Sequence, residues 1–246
     1  MRIINGEARW YDNDIETVGG TTARFVLPMG REDTCTDKRV GDRLVRRFRV
    51  RYSDCSAQEA KQYEYDLSKA PSRAMMLRDV KPTDRRFPGQ TIETCYTINI
   101  QPGPRTTADW LIFDQHNSLP PPNSSAPYRS PPIGLNFKLH PDGIEYLHIE
   151  ARTDTVKPDE RWKTIEVADP IPFSRSPHRI LRRHRLGADG LLSVAVDGVV
   201  IADYQGPLGY SDHAFACWSA GIYRSPWCLG KEEITIHFED WSEIVI

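Results

Sequence analysis

The chain has 246 residues, 39% of them hydrophobic and 27% charged, with a formal net charge of −2. This length suffices for one large β domain with a substantial core. The near-neutral balance supplies no global basic field for nucleic acid, and no apolar run approaches the roughly 20 residues of a membrane-spanning helix, so a soluble chain with neither kind of partner is expected.

The N-terminus, Met1-Arg2-Ile3-Ile4-Asn5, lacks the apolar core of a signal peptide. Two readings follow: a cytoplasmic protein, or one whose leader is absent from this sequence. Five cysteines (Cys35, Cys55, Cys95, Cys217 and Cys228) show no metal-ligand spacing. An odd count leaves at least one thiol outside any intramolecular bridge. Buried thiols are expected, with a Cys35–Cys55 bridge as the alternative.

Period-2 alternation dominates the chain and predicts strands. Leu44, Phe48, Val50 and Tyr52 oppose Arg47, Arg49 and Arg51. Between 56 and 67 a short helix competes with a strand carrying Tyr63, Tyr65 and Leu67. Ile92, Tyr96, Ile98 and Ile100 alternate with Glu93, Thr97 and Asn99. Residues 108–117 end an apolar strand with Asp114-Gln115-His116-Asn117. Prolines crowd 119–132, which predicts a long surface loop of the kind that carries binding function. Ile133, Leu135, Phe137 and Leu139 alternate with Asn136 and Lys138.

Further along, Arg175, His178, Arg179, Arg182, Arg183, His184 and Arg185 read as a basic surface strand. Leu192, Val194 and Val196 run into Asp197-Gly198, then Val199-Val200-Ile201. Asp-Gly between apolar runs signals a hairpin with a type I′ turn, which needs positive φ at both central residues. Residues 215–224 and 234–238 form the last strands. No repeat or composition break divides the chain, so residues 1–246 are expected to form a single all-β domain, a two-sheet sandwich of the jelly-roll kind.

Strand parity assigns candidate faces. An unbroken strand over 108–117 places Trp110, Ile112, Asp114 and His116 on one face, with Leu111, Phe113 and Gln115 on the other. Asp114 beside His116 would favour the imidazolium. The later strand places Phe215, Cys217, Ser219, Gly221 and Tyr223 together, opposite Ala216, Trp218, Ala220, Ile222 and Arg224. Gly221 leaves room for a ligand to approach beside Tyr223.

Trp110 to His116, the hairpin from Gly190 to Gly198, and Gly221-Ile222-Tyr223-Arg224 resemble, in that order, segments of jelly-roll polysaccharide lyases. Heparinase I-like and glucuronan lyases are the nearest match, with alginate lyases more distant. The resemblance spans roughly residues 90–240. It implies a Gln-x-His strand facing a Lys-x-Gly-x-Tyr strand in a groove. Here His116, Gly221 and Tyr223 match, while Asp114 stands at the glutamine position and Ser219 at the lysine position. Arg73 is the nearest match to the family's substrate-binding arginine.

The reaction so implied is β-elimination on a uronic-acid polymer. A base takes the C5 proton, an acid reaches the leaving oxygen, and the uronate carboxylate is neutralised. His116 and Tyr223 divide the acid–base tasks, in either assignment. Arg73, Asp114, Gln115, Asn117, Ser219 and Arg224 form the substrate-binding set. The implied partner is acidic polysaccharide bound by a monomer, secreted or periplasmic. No cofactor is required for catalysis, and Glu239 and Asp240 are candidates for a structural calcium site. Two rivals remain: a non-catalytic carbohydrate-binding domain, and a glycoside hydrolase of related fold. A retaining hydrolase needs two carboxylates about 5 Å apart, whereas parity puts Glu145 and Glu150 on opposite faces.

Overall fold

A computed structural model describes eight-residue or shorter segments before residue 78 (2–4, 7–9, 15–18, 21–26, 35–40, 43–50 and 72–77) and residues 85–246 apart from 122, 127–128, 155–159 and 226–231. Every regular element among these residues is a β-strand.

In chain order they are β1 (Arg2–Ile4), β2 (Glu7–Arg9), β3 (Ile15–Val18), β4 (Thr21–Val26), β5 (Cys35–Val40), β6 (Arg43–Val50), β7 (Ser72–Leu77), β8 (Thr91–Ile100) and β9 (Leu111–Leu119). The second half adds β10 (Ile133–Leu139), β11 (Glu145–Thr153), β12 (Lys163–Ile165), β13 (Ile171–Pro172), β14 (His178–Arg185), β15 (Leu191–Val196), β16 (Val199–Gln205), β17 (Phe215–Arg224) and β18 (Ile234–Val245). The region 56–67 and Cys55 and Cys228 lie outside the described residues. Cys35 is buried within β5.

The strands form two antiparallel sheets. The first runs β1-β2-β5-β6-β18-β8-β14-β15-β16. The second runs β12-β11-β10-β9-β17-β7-β4-β3, with β13 also pairing β11. The expected two-sheet sandwich is therefore what the alternating sequence makes. β8 shows why: Ile92, Thr94, Tyr96, Ile98 and Ile100 are buried, while the residues between them are half-exposed. Each strand thus offers one apolar face to the other sheet. Phe48, Tyr96, Phe113, Phe137, Trp218 and Phe238 fill the space between the sheets.

The Asp-Gly turn between β15 and β16 forms as expected, with φ of 52° at Asp197 and 83° at Gly198. The basic β14 departs from its surface reading. Arg182 and His184 are fully buried between the sheets, and Arg183 is exposed. Period-2 alternation puts every second residue of this strand in the core, charged or not.

Polar groups also link the layers. Asp114 of β9 accepts hydrogen bonds from Tyr96 Oη at 2.6 Å, Arg182 Nη1 at 2.5 Å and Trp218 Nε1 at 3.0 Å. The donors on β8 and β14 thus tie the first sheet to the second.

Candidate active site

β9 is not an unbroken strand. Its ladder with β10 pairs Leu135 with Asp114 and then Asn136 with Ile112, so Phe113 is an extra residue. Two residues on the bulged strand oppose one on the partner. Leu111, Phe113, Asp114 and His116 consequently all point into the sandwich, each at 0% exposure. The opposite, outer face carries Ile112 and then Gln115.

β17 answers this irregularity. It pairs Ala220 with Asp114 and Tyr223 with Ile112, two intervening residues against one. Gly221 adopts φ of 140°, a conformation L side chains avoid. Ala220, Ile222 and Arg224 face the core and Tyr223 faces out, which keeps the division between faces that strand parity made and adds which face is the core.

The registers then define cross-strand rows on the outer face of the second sheet. One row runs Arg73, Tyr223, Ile112, Asn136, His148 across β7, β17, β9, β10 and β11. The next runs Ser219, Gln115, Gly134, Glu150. These rows enclose a cleft of about 270 Å³ lined by Trp110, Ile112, Gln115, Asn136, Glu150, Arg152 and Tyr223, together with Gly134, Ser130 and Pro131. The Pro-rich loop therefore does contribute to a concavity. The rings of Trp110 and Tyr223 lie 4.8 Å apart at 60°.

Polar side chains order this lining. Asn117 Nδ2 donates to Ser219 Oγ at 2.6 Å. Gln115 Nε2 lies 3.8 Å from Met75 Sδ. Glu150 accepts hydrogen bonds from Asn136 Nδ2 and Arg152 Nη2. Lys138 Nζ stands 3.7 Å from Glu150 Oε1. Arg152 also donates through Nη1 to the Pro131 carbonyl at 2.6 Å.

The candidate residues thus separate. Tyr223 and Gln115 line the cleft, and Asn117 and Ser219 share their face. Arg73 stands opposite Tyr223 in the β7 register, and its side chain lies outside the described residues. Asp114, His116 and Arg224 do not join them. Arg224 is fully buried and donates from Nη1 to the Glu232 carbonyl at 2.8 Å.

His116 is a correction to the expected groove. It lies between the sheets, its ring 4.2 Å from that of His184 and its Nδ1 4.0 Å from Glu243 Oε2. Burial holds its pKa well below 6.5, helped by the cations Arg182 and Arg86. The extra residue Phe113 is the reason: it shifts the parity of everything after it, exchanging the faces of Gln115 and His116.

Asn136, Glu150 and Arg152 are among the cleft residues that fell outside the sequence-based set. The alternation of β10 and β11 put them on outward faces, but alternation alone does not say that those faces border Tyr223. Glu145 and Glu150 do lie on opposite faces: Glu145 pairs with Arg175 at 2.7 Å, away from the cleft. Among the described residues no group of three or more His, Cys, Asp or Glu is placed to hold a metal. Glu239 and Asp240 sit at an irregularity in the β18–β8 ladder.

No family model and no curated protein matches the sequence. Solved structures do match the fold. An endo-β-1,4-glucuronan lyase from the fungus Trichoderma reesei superposes with a TM-score of 0.64 at 9% identity, over 88% of this chain and 89% of that one. A family 7 alginate lyase solved with substrate gives 0.62 at 10% identity, over 91% and 92%. An alginate lyase from Pseudomonas aeruginosa gives 0.55 at 19% identity, over 88% and 87%. At such identities the likeness establishes the jelly-roll fold, shared along nearly the whole chain.

Proposed function

We propose that this chain is a polysaccharide lyase that cleaves a uronic-acid-containing polysaccharide by β-elimination, with Tyr223 as its proton-transferring group. The observation that carries this reading is the position of Tyr223. It lines a cleft on one sheet of a fold shared with glucuronan and alginate lyases, with Gln115 in the same lining.

The chemistry asks little more of one residue. As phenolate, Tyr223 Oη takes the C5 proton; C4=C5 forms as the C4–O bond breaks, and the same proton passes to the departing oxygen. The carboxylate on C5 must be neutralised to stabilise the enolate. Gln115 is proposed for that hydrogen bonding, with Arg73 at the neighbouring register position on β7 as the cation. His116 has no part in this scheme, being buried on the other face of β9. His148 shares the outer row of Tyr223 but stands three strands away, about 14 Å at the usual strand spacing, too far to serve the same bond.

The test is to mix the protein with glucuronan, alginate and heparin and follow the ultraviolet absorbance of the unsaturated uronate. Absorbance should rise, and Tyr223→Phe should slow it by about 10²–10⁴-fold, the usual worth of a positioned proton-transfer group. A second reading, a carbohydrate-binding domain, is favoured by the cleft lining: its one described cation, Arg152, is committed to Glu150 and Pro131. Binding without the chromophore on any uronan would establish that reading instead. Reducing ends without the chromophore would indicate a hydrolase.

A further inference from the structure

We infer that the surface at the start of β14 carries a second, hydrolytic site for esters of short acyl chains. Ser174 is its nucleophile, His178 its base, and Asp197 the group that orients His178. None of the three lines the cleft, and the inference does not depend on the lyase reading.

The three side chains form one chain of hydrogen bonds. His178 Nδ1 lies 2.7 Å from Asp197 Oδ2, and His178 Nε2 lies 2.9 Å from Ser174 Oγ. A carboxylate ionised at neutral pH can only accept. The neutral imidazole therefore carries its hydrogen on Nδ1, and the Nε2 lone pair faces the Ser174 hydroxyl. That is the tautomer a general base needs, and the order of contacts is that of an activated serine. Ser176 Oγ stands 2.5 Å from Ser174 Oγ. With the Ser174 hydrogen given to Nε2, Ser176 is left to donate to the attacking oxygen.

Anchored neighbours hold this geometry. Phe173 is buried, its amide donates to the Glu145 carbonyl at 2.9 Å, and its ring lies 4.4 Å from that of His178. Arg175 donates to the Glu145 carboxylate through Nε at 2.8 Å and Nη2 at 2.7 Å. Ser174 is thus pinned from both sides. Asp197 is fixed by exchange with Arg179: its Oδ1 accepts from the Arg179 amide at 2.8 Å, and its amide donates to the Arg179 carbonyl at 2.9 Å. The backbone N–H groups of Ser174 and Arg175 donate to no group among the described residues, which leaves them for the oxyanion formed at an acyl carbon. Ser174, Ser176 and Pro177 are all exposed. An ester therefore approaches from solvent with few walls around its acyl chain, which favours short chains.

In the reaction Ser174 Oγ bonds to the acyl carbon and its proton moves to His178 Nε2. The bond from the acyl carbon to the alcohol oxygen breaks as that proton passes to the departing oxygen. Water then attacks the acyl-serine, gives its proton to the same nitrogen, and releases the carboxylic acid as Ser174 regains its hydrogen. The test treats the full chain with a fluorophosphonate, which reacts with base-activated serines, and follows hydrolysis of 4-nitrophenyl acetate. Mass spectrometry should place the adduct on Ser174. Ser174→Ala should remove the adduct, and both it and His178→Gln should lower kcat/KM on the ester by at least about 10²-fold. Asn tolerates positive φ, so Asp197→Asn keeps the turn; reversing the imidazole tautomer, it should lower kcat by at least about tenfold with KM unchanged. An unlabelled chain, an adduct on another residue, or undiminished hydrolysis by Ser174→Ala overturns the inference.

Discussion

Two side chains one residue apart, Gln115 and His116, meet entirely different surroundings. Gln115 borders the cleft, whereas His116 and its neighbour His184 are sealed between the sheets. Burial depresses both imidazole pKa values well below 6.5, each ring or nearby arginine adding to the effect. Unfolding would release these histidines to the ordinary value. Below 6.5 the unfolded chain then binds protons that the folded chain refuses, so stability falls as pH drops through that value and is retained above it. Urea midpoints measured between pH 7 and pH 5 should decline, and His116→Gln should flatten that decline. For the same reason His116→Gln should leave the pH profile of any elimination unchanged, whereas Tyr223→Phe slows the reaction by the orders of magnitude given above. A selective loss of turnover in the histidine variant, with the fold intact, would return His116 to the chemistry.

At the scale of strands, the paired irregularities of β9 and β17 decide which side chains reach the cleft. Phe113 adds a residue to β9, and β17 accommodates it with Gly221 at φ of 140°. Glycine is needed there because a Cβ strains that backbone. Gly221→Ala should cost about 1–3 kcal/mol by the usual scale of such strain, read from denaturant midpoints, and should lower turnover because Tyr223 follows two residues later. Register shifts also occur between Val194 and Ala195 of β15 and between Glu239 and Ser242 of β18. β8, β10 and β11 follow strict alternation, so their faces could be read directly from Ile92, Tyr96 and Ile98 or from Leu135 and Phe137. The Asp197-Gly198 turn was equally legible, since its conformation is local.

Across the whole molecule, the two sheets are joined by packing and by charge. Asp114 is the hub, receiving Tyr96 and Arg182 from the first sheet and Trp218 from its own. Burial and the adjacent Asp114 carboxylate push the Tyr96 pKa well above 10.0, keeping it a donor. Asp114→Ala would leave Arg182 buried without its counter-charge, and a loss of about 3–5 kcal/mol is expected, measured as a fall in unfolding free energy. Asp114 entered the sequence reading as a substrate contact, and only the opposing sheet showed its part in cohesion.

The sequence by itself determined the all-β class, the positions of most strands between 85 and 246, the hairpin turn, and the separation of Tyr223 from Ile222 and Arg224 onto opposite faces. These are local properties, written in period-2 alternation and in Asp-Gly chemistry. Tertiary structure alone decided that β9 bulges at Phe113, that His116 is core while Gln115 is cleft, and that Glu150 and Arg152 of β11 border Tyr223. Register is a relation between strands distant in sequence, and one extra residue reverses every face beyond it.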